Sequence, residues 1–181
     1  QLLMWWCLIR NKRSNKCWHP LPKYEINCTN QLVKTLLIGG TSSLGIVLKP
    51  ILLEFSEVIT AGRKNCDITI DLNDSIKQII LPEGIDVVVH AAANFGGSSD
   101  EQILEAETVN VIGTLKLCQA AFQAKVKHFI FISSIYSDLQ EGANNYSIYA
   151  LSKKHAEEVS QFYCSLHSLP LAILKPAPIY G

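Results

Sequence analysis

The sequence predicts an α/β domain built on a doubly wound parallel sheet, extending over residues 32–181. From Val33 onward, short runs rich in β-branched residues alternate with helix-length segments, as in β-α-β units joined by right-handed crossovers. A glycine-rich stretch joins the first run to the first such segment. With 48% hydrophobic and 18% charged residues, the composition favours a buried parallel sheet over disorder. These observations describe a Rossmann-like domain, in which ligands bind beyond the carboxyl ends of the strands.

The alternation of runs predicts six strands and four helices. Strands are expected at 34–39, 57–62, 67–70, 85–91, 128–134 and 171–175, and helices at 44–55, 74–80, 100–124 and 146–167. The helix at 74–80 is short. Pro50 lies inside the first helix, so we expect a kink or a lost backbone hydrogen bond there.

The glycine-rich turn reads Gly39-Gly40-Thr41-Ser42-Ser43-Leu44-Gly45, a G-x-x-S-x-x-G spacing. Glycines between a strand and a helix permit positive φ angles and close approach of a phosphate, and a helix N-terminus attracts negative charge. We therefore expect a pyrophosphate here, although an ordinary β–α turn would contain the same residues. The turn residues assigned to cofactor binding are Gly39, Thr41, Ser42, Ser43, Leu44 and Gly45.

The end of the second strand bears on the choice of cofactor. An acidic residue there accepts a hydrogen bond from the ribose 2′-hydroxyl of NAD, but this chain has Gly62 followed by Arg63. Because a guanidinium binds a 2′-phosphate well, we favour NADP and keep NAD as the alternative. An exposed arginine in a turn would give the same sequence. Asp71 and Leu72, which close the third strand, are expected beside the adenine.

The fourth strand runs into a row of alanines. Small side chains at Ala91, Ala92 and Ala93 would let a cofactor lie against the backbone, and they equally suit tight packing. We interpret His90, just before them, as a satisfied and partly buried structural histidine rather than a catalytic one.

Ser134, Tyr149 and Lys153 form the set that carries chemistry. Tyr149 and Lys153 are four residues apart in a predicted helix, so their side chains share a face. A nearby ammonium would lower the pKa of the tyrosine and make it a usable general acid or base. The same ammonium could hold the nicotinamide ribose. Ser134, at the end of the fifth strand, could donate a hydrogen bond to the reacting oxygen.

From Val33 to Gly181 the chain resembles the extended short-chain dehydrogenase/reductases, the NAD(P)-dependent epimerase/dehydratase family. Its motifs follow the family's order: residues 39–45, Asp71-Leu72, His90-Ala91-Ala92-Ala93, Asn110-Val111-x-Gly113-Thr114, Ser133-Ser134, Tyr149-x-x-x-Lys153 and Lys175-Pro176-x-x-Ile179-Tyr180-Gly181. Ser42 stands where the family usually has its second glycine, and its own hydroxyl could bind the phosphate.

The resemblance implies a role for each matched residue. Tyr149 would be the acid/base, Lys153 the ribose-binding and pKa-lowering residue, and Ser134 the partner of the substrate oxygen. Asn110 would be the family's helix asparagine behind the active site, and Pro176, in the last motif, is assigned to cofactor binding. Family members transfer hydride between nicotinamide and a sugar carbon or an alcohol, often on nucleotide sugars, and often pair as homodimers through two long helices.

The resemblance therefore predicts an NAD(P)-dependent epimerase, dehydratase or reductase. The alternative is a non-catalytic redox sensor or scaffold of the same fold, which would not need a tyrosine acid. In the family the last motif leads into a further substrate-binding region. We expect this chain, which starts at Gln1, to be part of a longer protein and to lack most of the substrate half.

Residues 1–31 do not follow the pattern and are interpreted as an irregular segment or linker. Their tryptophans and basic cluster leave binding to nucleic acid or an anionic membrane as the alternative. For the whole chain, balanced charges (16 basic and 16 acidic residues) argue against a nucleic-acid partner. No apolar run is long enough for a membrane helix. Six scattered cysteines without a C-x-x-C pair favour reduced thiols, a cytoplasmic location and no metal, even at Cys17, His19 and Cys28.

Overall fold

The computed structural model describes residues 32–74 and 76–178, so the predicted segment 1–31 lies outside the described residues. In this part of the chain six strands form a parallel sheet in the order β3-β2-β1-β4-β5-β6. They are β1 (Val33–Ile38), β2 (Ser56–Gly62), β3 (Ile68–Thr69), β4 (Val87–His90), β5 (His128–Ile132) and β6 (Leu171–Leu174). The predicted doubly wound, Rossmann-like sheet is confirmed, with its order reversing between β1 and β4.

Helices cover both faces of the sheet. They are α1 (Ser43–Leu52), α2 (Asp100–Glu107), α3 (Gly113–Gln123) and α4 (Ile148–Leu166). Leu44, Leu48 and Leu52 of α1 pack against Leu37 and the neighbouring strands on one face. The other face, with Leu36, Val88 and Phe129, forms the larger core with α3 and α4. This burial on both faces explains why the strand sequences are apolar runs and not alternating ones.

Helix starts are fixed by serine caps. The Ser42 hydroxyl caps α1, the Ser147 hydroxyl caps α4, and Ser99 forms a capping box with Gln102 at the start of α2. Pro50 lies within α1, where its missing N–H removes the bond to the Ile46 carbonyl, as expected. The Ser42 cap places the N-terminus of α1 just after the end of β1, whereas the 3₁₀ segment Ile135–Asp138 and a loop separate β5 from the start of α4.

Two helix predictions are corrected by the structure. The described residues of 74–80 form no helix: the Asp74 carboxylate accepts from the backbone N–H groups of Ile76 and Lys77, as a helix N-cap does, but no helical turn continues from it before Pro82. The predicted helix 100–124 is interrupted between α2 and α3 by a π-helical turn, Thr108–Ile112. Such turns widen a helix locally and are frequent at functional sites.

Candidate functional site

A cleft of about 480 Å³ lies beyond the carboxyl ends of β1, β2, β3 and β4, at the point where the strand order reverses. Eight of the residues assigned to cofactor binding line it: Gly39, Thr41, Ser42, Arg63, Asp71, Leu72, Ala92 and Ala93. This is where a parallel α/β sheet binds its ligand. The structure therefore brings half of the sixteen predicted cofactor residues together in one cleft.

The other residues assigned to cofactor binding lie off the walls of the cleft. Ser43, Leu44 and Gly45 form the first turn of α1, where Leu44 packs against the sheet and Gly45 is buried. Ala91 is in the core next to β4. The Pro176 carbonyl accepts a hydrogen bond from the Ile135 N–H at 3.2 Å, which places Pro176 beside the segment that follows Ser134.

The glycine-rich turn is held by close backbone packing. Gly39 has a φ of +85°, and a Cβ there would lie 2.7 Å from the Ala92 nitrogen. A Cβ at Gly45 would lie 2.1 Å from the Gly39 carbonyl oxygen. Both glycines are therefore required by the close packing of the turn, Gly39 against Ala92 and Gly45 against Gly39. Their own N–H groups are bonded within the protein, that of Gly39 to the Ala61 carbonyl and that of Gly45 to the Ser42 hydroxyl.

Ser42 caps α1 within this turn. Its Oγ accepts a hydrogen bond from the Gly45 N–H at 3.0 Å. A hydroxyl that accepts one bond keeps its own proton as a donor. The serine is thus compatible with an anion in the cleft, although it occupies one N–H group of the helix N-terminus.

The basic rim of the cleft consists of Arg63 and Lys64. Their loop is pinned by Asp67, whose carboxylate accepts from the Thr60 N–H at 2.8 Å and from the Thr60 hydroxyl at 2.6 Å. Asn65 turns the loop with a φ of +53°. The loop after the carboxyl end of β2 therefore brings two cations to the cleft. The sequence predicted only Arg63 as a cofactor-binding residue.

Asn110 organises the loop after β4. It is 2% exposed; its Oδ1 accepts from the Asn94 N–H at 2.7 Å, and its Nδ2 donates to the Asn94 carbonyl at 2.7 Å and to Ser152 Oγ at 2.8 Å. Both amide protons are therefore committed. Asn110 does not line the cleft, but it fixes Asn94, which does.

Tyr149 lies in the first turn of α4, which the Ser147 cap starts. The ring of Phe95 packs against it with centroids 4.8 Å apart. Burial raises the pKa of Tyr149, an effect that the Ser134 hydroxyl partly offsets. Ser134 is itself buried and caps the short 3₁₀ segment Ile135–Asp138 by accepting from the Tyr136 N–H at 3.2 Å.

Lys153 is directed toward β5. Its ammonium donates to the Ile132 carbonyl at 2.7 Å and lies 4.6 Å from the centroid of the Phe131 ring. Burial lowers the pKa of Lys153 to about 7, and the carboxylate of Glu157 opposes the fall. The expectation that Lys153 lowers the pKa of Tyr149 is not met. The groups that shift the tyrosine are its burial, Ser134 and Tyr136, because the ammonium is held by the end of β5.

His90 is a core residue, as expected, but it is fully and not partly buried. The Thr114 hydroxyl donates its proton to the Asn110 carbonyl, so its oxygen can only accept from His90 Nε2, which lies 2.9 Å away. The hydrogen-bond network therefore assigns the ring proton of His90 to Nε2. Nδ1 has no partner among the described residues. Burial, with a smaller effect of Lys153, lowers the pKa of His90 to about 3, so the ring is neutral at pH 7.

Several residues of the site escaped the sequence reasoning. Lys64, Asn73, Asn94 and Val109 line the cleft, and Phe95 covers Tyr149. The stretch Asn94-Phe95-Gly96 directly follows the three alanines after β4. A polar residue and a glycine at the end of a strand were the pattern that could have indicated a binding loop there. Only the fold shows that this loop connects the cleft to α4.

A cleft at the reversal point of a parallel sheet is where α/β proteins bind dinucleotides. Ser134, Tyr149 and Lys153 do not line this cleft; Tyr149 is joined to it through Phe95, the neighbour of the cleft residue Asn94. Comparison with known proteins assigns the family. The chain belongs to the NAD dependent epimerase/dehydratase family, whose sequence profile matches residues 35–181. The resemblance drawn from the motifs is confirmed.

Named relatives are enzymes of several reaction types. Uronate dehydrogenase of Pseudomonas putida is 31% identical over 156 residues, which are 75% of this chain and 57% of that protein. Human dTDP-D-glucose 4,6-dehydratase is 32% identical over 123 residues, 61% of this chain and 35% of that protein. The chain thus spans about half or less of these relatives.

Solved structures share the fold. UDP-glucuronic acid 4-epimerase from Bacillus cereus, in complex with NAD, superposes with a TM-score of 0.61 at 23% identity, over 82% of this chain and 58% of that one. Among residues 32–74 and 76–178, the structure has no helix of the length and hydropathy that crossing a bilayer requires.

Proposed function

We propose that this chain is the nicotinamide dinucleotide-binding part of an epimerase, dehydratase or reductase that acts on a sugar nucleotide or a related alcohol. The observation that carries the proposal is the loop after β4. Asn94 of this loop lines the cleft, and the adjacent Phe95 packs on Tyr149. One loop thereby joins the cofactor cleft to the residue proposed to move a proton.

The turn fits a pyrophosphate in shape and charge. A side chain at position 39 would collide with Ala92, so glycine there preserves the turn that leads into the N-terminus of α1, where the helix dipole favours an anion. The cationic rim at Arg63 and Lys64 lies on the same cleft. When bound, the nicotinamide would supply or accept the hydride.

Three side chains would act at the reacting centre. Tyr149 would donate its phenolic proton to the substrate oxygen in the reducing direction, because a tyrosine is protonated at neutral pH and burial raises the pKa of this one further. Ser134 would donate a hydrogen bond to the same oxygen. Lys153 would bind the ribose hydroxyls of the nicotinamide half.

For the cofactor we favour NADP over NAD, on the basis of Arg63. Its guanidinium would pair with the 2′-phosphate, and Lys64 beside it adds a second cation. The family is described as NAD dependent, so NAD is the alternative that the test must distinguish.

The test is a nicotinamide-fluorescence titration of the chain with NADPH and with NADH. Arg63→Gln should weaken NADPH binding by roughly 10- to 100-fold, the loss expected for a charged hydrogen bond, and leave NADH binding unchanged. Lys125→Gln, which removes an exposed cation at the far end of the sheet, is the matched control. Equal affinities for both nucleotides in all three chains would refute the NADP assignment.

A non-catalytic dinucleotide sensor is the second candidate. The position of the Lys153 ammonium favours it, because this group donates to the Ile132 carbonyl and is not among the groups that shift the pKa of Tyr149. Tyr149→Phe in the full-length protein separates the two functions. It should abolish turnover if the protein is an enzyme, whereas a sensor would keep its nucleotide response.

We also propose pairing of two copies through the long helices. Leu104 of α2 and Phe162 and Leu166 of α4 are 67%, 73% and 66% exposed. These residues lie on the helices that the family resemblance assigns to a homodimer. Val111, by contrast, is 8% exposed and belongs to the core.

A further inference from the structure

Glu157 is a buried carboxylate to which the functional scheme above gives no role. It lies on α4, four residues after Lys153, and is 8% exposed. One carboxylate oxygen accepts a short hydrogen bond from the Ser133 hydroxyl, and the other lies 2.9 Å from Lys175 Nζ. A carboxylate is rarely buried unless it is paired, and this one has two partners on two different strand ends.

These partners enclose Ser134. Ser133, at the end of β5, directly precedes it. Lys175, just after β6, also binds the carboxylate of Asp138 at 2.6 Å, and Asp138 belongs to the 3₁₀ segment that directly follows Ser134. Glu157 on α4 is therefore linked to the chain on both sides of Ser134, directly to Ser133 and through Lys175 to Asp138.

The same carboxylate lies one helical turn from Lys153, on the same face of α4. Burial lowers the pKa of the lysine to about 7, and Glu157 is the group that raises it. The titratable and charged groups around this part of α4 are Tyr149 and Glu157 on the helix itself, His90 on β4, Tyr136 and Asp138 in the 3₁₀ segment, and Lys175 after β6. Among the groups around Lys153, His90 is neutral at pH 7 and Lys175 is a like charge.

We propose that Glu157 is a positioning residue, which fixes the backbone around Ser134 through Ser133 and Lys175 and keeps Lys153 charged for the ribose of the cofactor. The inference rests on the proposed function, because it concerns how the proposed site is held and charged. It assigns Glu157 no contact with the reacting atoms.

The test is the pH dependence of NADPH affinity, measured by fluorescence from pH 5.5 to 9. In the wild-type chain, affinity should fall as the pH rises through about 7, because Lys153 loses its proton. Glu157→Gln keeps a hydrogen-bond acceptor but removes the charge. It should move the midpoint to lower pH by about one unit, the size expected for unit charges a few ångströms apart near a protein surface. Glu158→Gln, the exposed neighbour on α4, should leave the midpoint in place.

Lys175→Gln gives a shift of opposite sign. Removing this cation leaves Glu157 unneutralised and takes a like charge away from Lys153, so the midpoint should move to higher pH. If Glu157 had only a structural role, both variants would bind NADPH more weakly, but their midpoints would not move in opposite directions. Because Lys175 is partly exposed, this variant tests the proposal even if Glu157→Gln does not fold.

Three results would decide the matter. Midpoints that coincide in the wild type and in both the Glu157 and Lys175 variants would overturn the inference while leaving the proposed function intact. A folded wild-type chain that binds neither nucleotide would overturn the proposed function. In that event amide hydrogen exchange decides the positioning role: Glu157→Gln should speed exchange at residues 133–138 several-fold relative to Glu158→Gln, and equal rates would refute it.

Discussion

Replacing Lys153 by methionine is expected to stabilise the chain at neutral pH. The fold lowers the pKa of this lysine from 10.5 to about 7, because its ammonium is buried. At about 1.4 kcal/mol per pKa unit, keeping the charge in the folded state costs of the order of 5 kcal/mol. Methionine has a similar volume and no charge, so it removes this cost. It also leaves the Ile132 carbonyl without its hydrogen-bond donor, which lowers the stability of the variant by roughly 1–3 kcal/mol.

The effect must depend on pH in a defined direction. Below pH 7 Lys153 is protonated in both the folded and the unfolded chain, so the folded state bears the full cost of burying the charge. Between pH 7 and 10.5 only the unfolded chain keeps it, so wild-type stability rises with pH and the advantage of the methionine variant shrinks.

Urea unfolding at pH 6.5, 8 and 9.5 measures both quantities. The variant should be more stable by about 2–4 kcal/mol at pH 6.5, the difference between the two opposing contributions, and should lose most of this advantage by pH 9.5. Lys154→Met, on the next residue of α4, is the control for a lysine-to-methionine change in this helix. A Lys153→Met chain that is less stable than wild type at pH 6.5, or a difference independent of pH, would refute the reasoning.

Two further predictions concern the turn and the helix surface. Gly39→Ala should destabilise the chain by about 2–4 kcal/mol in urea unfolding, because the new Cβ would collide with Ala92 and because φ at this position is positive. Gly142→Ala, with a φ of +84° and open space around it, should cost about 1 kcal/mol. Equal losses of stability in the two variants would contradict the packing argument. Phe162→Glu should convert a dimer to a monomer in light scattering, and Phe55→Glu, another exposed aromatic after α1, should not. A wild-type chain that is monomeric at high concentration would remove the dimer proposal.

The strand pattern could be predicted because its physical signal is local. The central strands β1, β4 and β5 are largely buried, so they left apolar runs in the sequence, whereas the edge strands β3 and β6 are short and have no fully buried residue. The helix predicted at 74–80 did not form: Asp74 caps the N–H groups of Ile76 and Lys77, but the segment is short and Pro82 follows it directly, so the cap leads into no helical turn. The π-helical turn at 108–112 carried no such local signal in the sequence.

The site could be predicted only in part. The glycine turn and the i, i+4 pair of Tyr149 and Lys153 are sequence patterns and were recognisable. Where the Lys153 ammonium points is a tertiary property, set by the Ile132 carbonyl at the end of β5. The link between Glu157, Ser133 and Lys175 joins residues 24 and 18 positions apart, and no spacing rule reveals it.

The central claim is that the cleft beyond β1 to β4 binds a nicotinamide dinucleotide. A titration of the ¹⁵N-labelled chain with NADPH, followed amide by amide in NMR spectra, tests it most directly. We predict that the amides of residues 39–45, 62–64 and 92–95 shift together with one dissociation constant, and that those on the outer face of α4 around Phe162 do not. Saturable shifts confined to residues outside the cleft, or none in a folded chain, would contradict the claim.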